Sequence, residues 1–187
     1  MFSWCEDNLA IILYYLGVLE EGEGQFDQAL RHFRDALKLF RDTVGPDHRD
    51  TAECLNNIAS MLFRRGDLKK AFAAYVKALS LKEAVYVELQ QCQPDRPEPS
   101  EDGHVESAIL LGNASIADTL YNLAELRRQM GRLGGPTGAV TYASRALEIC
   151  MHVLGPDHPH TTDTRELLEL ISKEIAIDLT TDSGEKP

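Results

Sequence analysis

The chain has almost no strand signal. Runs of alternating β-branched and polar residues bounded by turns are missing, which excludes a sheet-based fold. No stretch reaches the roughly 18 consecutive apolar residues of a membrane span. The opening MFSWCEDNLAIILYYL is apolar in its second half, but Glu6 and Asp7 stand where a secretory leader carries basic residues, so it reads as a helix. Cysteine is sparse: Cys5, Cys54, Cys92 and Cys150 form no Cys-x-x-Cys unit, and they read as reduced, mostly buried thiols of a cytoplasmic protein. Positive charge is short as well. The net charge of −11 disfavours non-specific binding to nucleic acid and to anionic membranes, because phosphates repel an acidic surface.

Apolar content and helical periodicity remain. Hydrophobic residues make up 43% of 187, enough for a core and too many for wholesale disorder. Apolar residues recur at spacings of three and four in segment after segment, which predicts helices near 6–21, 25–43, 49–65, 67–92, 104–130, 137–154 and 159–177.

Self-comparison organises these helices. GQFDQALRHFRDAL from Gly24 aligns with GDLKKAFAAYVKAL from Gly66 at an offset of 42, which also pairs Leu13 with Leu55 and Gly17 with Ala59. A third copy runs through Leu120, Leu123, Ala124 and Gly131 to Ala139, Ala143 and Ala146. The pattern describes a helical hairpin. Small residues on the first helix (Gly17, Ala59, Ala124) meet small residues on the second (Ala29, Ala71, Ala139), and Phe33 and Tyr75 are expected to fill the gap to the next hairpin. One hairpin cannot bury its apolar face alone, so the fold class is all-α, an α-solenoid of stacked hairpins.

These positions resemble the tetratricopeptide repeat. LNNIASMLFRRGDLKKAFAAYVKALSL and YASRALEICMHVLGPDHPHTT resemble its kinesin-light-chain variety, marked by LNNLA, Y-x-x-AL-x-I and LGPDHP. We expect one repeat domain over 1–177, with repeats near 9–44, 50–92 and 104–154, an inserted acidic Pro-rich loop near 93–103, a capping helix at 159–177 and a flexible tail at 178–187. Arg165 and Glu169 stand at packing positions on the last helix, which marks it as a solvating cap.

GPDH occurs twice, at Gly45 and at Gly155. It reads as a hinge: the glycine ends one helix, the proline stops it continuing, and Asp47 or Asp157 is expected to cap the next. No nucleophile motif appears, and the glycines from Gly131 to Gly138 lack the Lys-Ser/Thr ending of a phosphate loop. His152, His158 and His160 lack a convincing fourth ligand and read as a turn cluster. The chain is therefore read as non-catalytic, without metal or cofactor.

The first helices of such an array line its concave side. Ile11, Tyr14, Tyr15, Val18 and Glu21 fall there in repeat one. Glu53, Asn56, Asn57, Ser60, Phe63 and Arg64 follow in repeat two, and Asp118, Tyr121, Asn122, Glu125, Arg128 and Gln129 in repeat three. Asparagine donates and accepts at once, so it can pair with any peptide backbone. The family resemblance implies cargo-peptide contact for Asn56, Asn57 and Asn122; the alternative is that Asn57 or Asn122 bridges neighbouring helices. Asp118 stands where chaperone-tail binders carry a lysine and would repel a terminal carboxylate. The mixed to acidic groove points to a peptide with apolar anchors and some basic residues. The function read from all this is a protein-interaction module, adaptor or scaffold; the alternatives are a structural or regulatory subunit and, less favoured, an enzyme. On the first helix, Phe2, Trp4, Leu9, Ile12 and Leu13 form an apolar face that folding back, partner binding or self-association could cover.

Overall fold

The computed structural model describes the backbone of residues 3–91 and 104–182, with side chains described over 8–88 and 113–177. The described residues form seven helices: α1 (Ser3–Gly22), α2 (Phe26–Thr43), α3 (Arg49–Arg64), α4 (Leu68–Gln91), α5 (His104–Gln129), α6 (Ala139–Val153) and α7 (Pro159–Asp182). They belong to two compact units, Met1–Glu101 and Asp102–Pro187. The side chains of Phe2, Trp4, Cys5 and Cys92, the segment 93–103 and the tail 183–187 lie outside the described residues. The last helix runs on to Asp182, past the expected end at residue 177.

In the first unit α1 pairs with α2 and α3 with α4, and α2 joins the two hairpins through α3. The amphipathic pattern explains which faces meet. Ala29, Leu30, Phe33, Ala36 and Phe40 form the buried stripe of α2, at the spacings a helix needs to present one face. Helix α3 is buried on two sides, through Thr51, Cys54, Ile58 and Met61 on one and Ala52, Leu55, Ala59 and Leu62 on the other. The small-residue positions serve as expected: Ala29, Ala59, Ala71, Ala124 and Ala139 are fully buried.

Phe33 sits closer to home than its sequence position suggested. Its ring fills the space beside Gly17 of its own hairpin, where an added Cβ would lie 2.8 Å from Phe33 Cε1. Its edge meets Tyr14 with ring centroids 5.8 Å apart. A glycine on α1 thus admits an aromatic ring from α2, and that contact locks the hairpin internally.

The second unit has α5 paired with α6, α6 with α7, and a lighter contact between α5 and α7. Its core includes Leu120, Leu123, Leu126, Ala143 and Ala146, with Thr161, Thr164, Leu167 and Ile171 from α7.

The two GPDH hinges have the same hydrogen bonds. Gly45 has φ +107° and Gly155 φ +89°, a backbone region where a Cβ is strained, so glycine is required at both. Gly45 N donates to the Phe40 carbonyl at 3.0 Å, and Gly155 N to the Cys150 carbonyl at 3.1 Å. The Thr51 hydroxyl donates to the Gly45 carbonyl at 2.8 Å, and the Thr161 hydroxyl to the Gly155 carbonyl at the same distance. The expected aspartate cap is corrected. Helix α3 starts at Arg49, which puts His48 at the capping position, and His48 Nδ1 accepts from Asp50 N at 3.2 Å. His158 Nδ1 accepts from His160 N in the same way.

Candidate functional site

In the first unit, α1 and α3 are the first helices of their hairpins, and their adjoining surfaces carry most of the anticipated residues. A depression of about 380 Å³ is lined by Ile11, Tyr14 and Tyr15 of α1, Phe40 of α2, and Arg49, Asp50 and Glu53 of α3. Tyr14 and Tyr15 meet edge to face at 5.6 Å, which fixes both rings at its wall. Burial pushes the Tyr14 hydroxyl above its ordinary value, against the opposing effect of its bond to Asn57. Glu53 pairs with Lys82 Nζ of α4 at 3.1 Å. Lys82 is buried while Glu53 keeps part of its surface, so a carboxylate edge borders a hollow of mixed aromatic and charged lining.

The remaining anticipated residues of this unit tie α3 to α1. Asn57 Nδ2 donates to the Tyr14 hydroxyl at 3.1 Å, and the Ser60 hydroxyl donates to Glu21 at 3.4 Å. Arg64 lies 3.7 Å from the same Glu21 carboxylate and 5.2 Å over the Phe26 ring. Asn57, Ser60 and Arg64 therefore hold the walls of this surface against each other. Asn56, beside them on α3, is half-buried. Ile11, Tyr14, Tyr15 and Glu53, all expected on the first-helix surface, line the depression itself. Phe40, Arg49 and Asp50 were missed because they come from the hinge around the first GPDH, a stretch the sequence marks as punctuation. The hinge folds the end of α2 and the start of α3 onto the same place, and that is the signal that could have found them.

In the second unit, Arg128 reaches both oxygens of Glu125, at 2.8 and 2.9 Å, and Glu174 of α7 at 2.8 Å. The guanidinium holds the Glu125 carboxyl below its ordinary value. Tyr121 lies with its ring 5.7 Å from His160. Asn122, next to Tyr121, is half-buried on α5. His160 in turn lies 3.0 Å from Asp118 through Nε2 and 3.2 Å from Cys150 Sγ through Nδ1. Sequence reading did not bring Cys150, His160 and Asp118 together, since they come from α6, α7 and α5. A thiol, an imidazole and a carboxylate in line suggest nucleophile chemistry. Two facts oppose it: Cys150 is fully buried, and that burial raises its thiol pKa, so no thiolate is presented to a substrate. The trio pins the start of α7 to both other helices. Among the described residues, no group of three or more His, Cys, Asp or Glu side chains could hold a metal ion. No helix of the described residues is long and apolar enough to cross a membrane.

Comparison with known proteins agrees with this architecture. Two family models, each described as tetratricopeptide repeat, match residues 8–84 and residues 116–160. The chain is 28% identical over 71 residues to the Clustered mitochondria protein of Arabidopsis thaliana, covering 38% of this chain and 5% of that protein. It is 32% identical over 74 residues to the Photosystem I assembly protein Ycf3 of Prochlorococcus marinus strain MIT 9211, covering 40% of each. The chain thus spans well under half the length of these relatives. Among solved structures, the crystal structure of BtubC (BKLC) from P. vanneervenii matches with a TM-score of 0.68 and 20% identity, over 97% of this chain and 67% of that one. At that identity the likeness is one of fold.

Proposed function

The chain belongs to the tetratricopeptide repeat family, and we propose that it is a non-catalytic adaptor that holds a short peptide or helix of a partner protein on the first-helix surface of its N-terminal unit. The family makes it a protein-interaction module; the choice of surface and ligand is our reading. The observation that carries it is the depression between Ile11, Tyr14, Tyr15 and Glu53, which combines exposed aromatic area with a carboxylate at its edge. Aromatic side chains supply large contact area at low entropic cost, and a hollow of this size suits one apolar side chain. Asp50 and Glu53 then favour a basic residue beside that anchor, while Arg49 and Lys82 temper the charge.

Tyr121, Asn122, Glu125 and Arg128 offer a second polar surface on the other unit, to be treated independently of the first. The buried thiols Cys54 and Cys150 fit a reducing compartment such as the cytoplasm. One observation favours a purely structural role: Asn57 is spent on Tyr14, so one of the anticipated ligand contacts stabilises the hairpin stack. The relative from Prochlorococcus marinus, a Photosystem I assembly protein, agrees with either an adaptor or a scaffold.

A peptide array separates these readings. Peptides carrying one leucine or aromatic anchor are flanked by Lys/Arg, by Asp/Glu or by neutral residues. The adaptor reading predicts that the basic-flanked set is retained most strongly. Preference for the acidic set contradicts the ligand class, and no retention of any set favours the structural role.

A further inference from the structure

We propose that His160 plugs the second unit's copy of the first-unit depression, so that the chain presents one open anchor site, between α1 and α3. Register identifies the copy. The alignment that pairs Gly45 with Gly155 also pairs Phe40 with Cys150 and Asp50 with His160. The alignment that pairs Leu13 with Leu120 also pairs Tyr14 with Tyr121 and Ile11 with Asp118. The backbone bears out the pairing at the hinges. The Phe40 and Cys150 carbonyls each accept from the hinge glycine, and the Asp50 and His160 N–H groups each donate to a histidine ring two residues back.

The same four places hold opposite contents. In the first unit Ile11, Tyr14, Phe40 and Asp50 border an open hollow of about 380 Å³. In the second unit an imidazole stands among their counterparts. His160 Nε2 lies 3.0 Å from Asp118, Nδ1 lies 3.2 Å from Cys150 Sγ, and the ring centroid lies 5.7 Å from that of Tyr121. The His160 side chain is 27% exposed, whereas that of Asp50 keeps 45%. A short carboxylate at this position leaves room beside the tyrosine; an imidazole ring takes that room up.

Chemistry keeps the plug in place. Each ring nitrogen has a polar neighbour, Asp118 on one side and Cys150 on the other. An incoming side chain has to break both contacts and replace them, or leave the buried thiol without its partner. The tethered ring also competes at an effective concentration on the order of millimolar or above. In the first unit Ile11 and Phe40 stand where Asp118 and Cys150 stand, so the wall is apolar and suits an anchor brought by a ligand. That a peptide uses the open copy rests on the adaptor reading above; that the second copy is filled does not.

Two measurements on the full chain test the plug. The first is iodoacetamide alkylation of Cys150, mapped by mass spectrometry at helix content matched by circular dichroism. Cys150 is fully buried in the parent. His160→Ala should label it at least about 10-fold faster, because the ring over Sγ is gone. His160→Phe, which returns a ring to the place, should restore protection. Equal labelling in the parent and His160→Ala overturns the proposal. The second is anisotropy of a labelled, basic-flanked peptide with one aromatic anchor, against Asp50→Asn and Asp50→His. Both variants remove the carboxylate, but only the histidine fills the hollow. Asp50→His should bind at least about 10-fold more weakly than Asp50→Asn, and the parent should hold one peptide per chain. Equal affinity of the two variants, or two peptides per parent chain, also overturns the plug. A parent that binds no peptide sinks the adaptor reading instead, and Cys150 labelling then decides the plug alone.

Discussion

A methyl group at position 17 would meet the Phe33 ring at 2.8 Å, in a core where Phe33 and Ala29 are fully buried. Two effects compete in Gly17→Ala. Helix propensity favours alanine by up to about 1 kcal/mol. Overpacking a tight core costs about 1–3 kcal/mol, and the ring has buried neighbours behind it, so overpacking wins. We predict a lower urea midpoint for Gly17→Ala; a midpoint equal to or above that of the parent would show that Phe33 moves aside freely. Burial also acts on the thiol of Cys54, pushing it from 9.0 up to about 12. A folded value raised above the unfolded one stabilises the protonated form. That contribution is whole below pH 9.0 and is lost as the pH rises toward 12. Urea unfolding at successive pH values should show stability falling through this window, with a shallower fall in Cys54→Ala. Tyr75, raised to about 12 by its own burial, keeps part of the slope in that variant. Identical pH profiles for the two proteins would contradict the assignment.

At the scale of elements, the hinge shows what sequence resolves and where it stops. Gly-Pro followed by a threonine six residues after the glycine announces a break and a restart, and both copies make the same glycine and threonine bonds. The capping residue lies one position beyond the expected Asp47. Asp47 is the better cap by propensity, but the helix begins at Arg49, so His48 stands at its mouth and lends its ring nitrogen. Gly45→Ala should cost about 1–2 kcal/mol, from the strained backbone alone, because no atom lies within 4 Å of the added Cβ. Thermal melting checks it, and an unchanged melting temperature would mean that the hinge relaxes to another conformation. On α7 the polar Arg165 and Glu169 were legible as interruptions of the packing pattern. Arg165 spends its charge on the Pro156 carbonyl, 3.3 Å away, and Glu169 borders an open hollow with Leu168 and Ser172. What the sequence did not reveal is the His160 junction, because its three members are brought together only by packing of three helices.

For the whole molecule, the repeat pattern made the fold class legible, because small residues and turn glycines recur in all three copies and the first two share a 42-residue period. The candidate site was legible in part. Tyr14 and Glu53 border the hollow because first-helix positions between packing residues must face outward. Asn57 turned inward instead, since a tyrosine hydroxyl of the neighbouring hairpin lies within 3.1 Å of it. A substitution of Asn57 would loosen the stack and confuse binding with stability. Ile11 and Tyr15 are the cleaner handles, exposed at the depression by 43% and 61%. The most direct measurement is therefore the affinity of a labelled, basic-flanked peptide with one aromatic anchor, read by fluorescence anisotropy for the parent chain and for the Ile11→Ala/Tyr15→Ala double variant. The adaptor account predicts binding at least about 10-fold weaker in the variant, with helix content unchanged; equal affinity in the two proteins would contradict it.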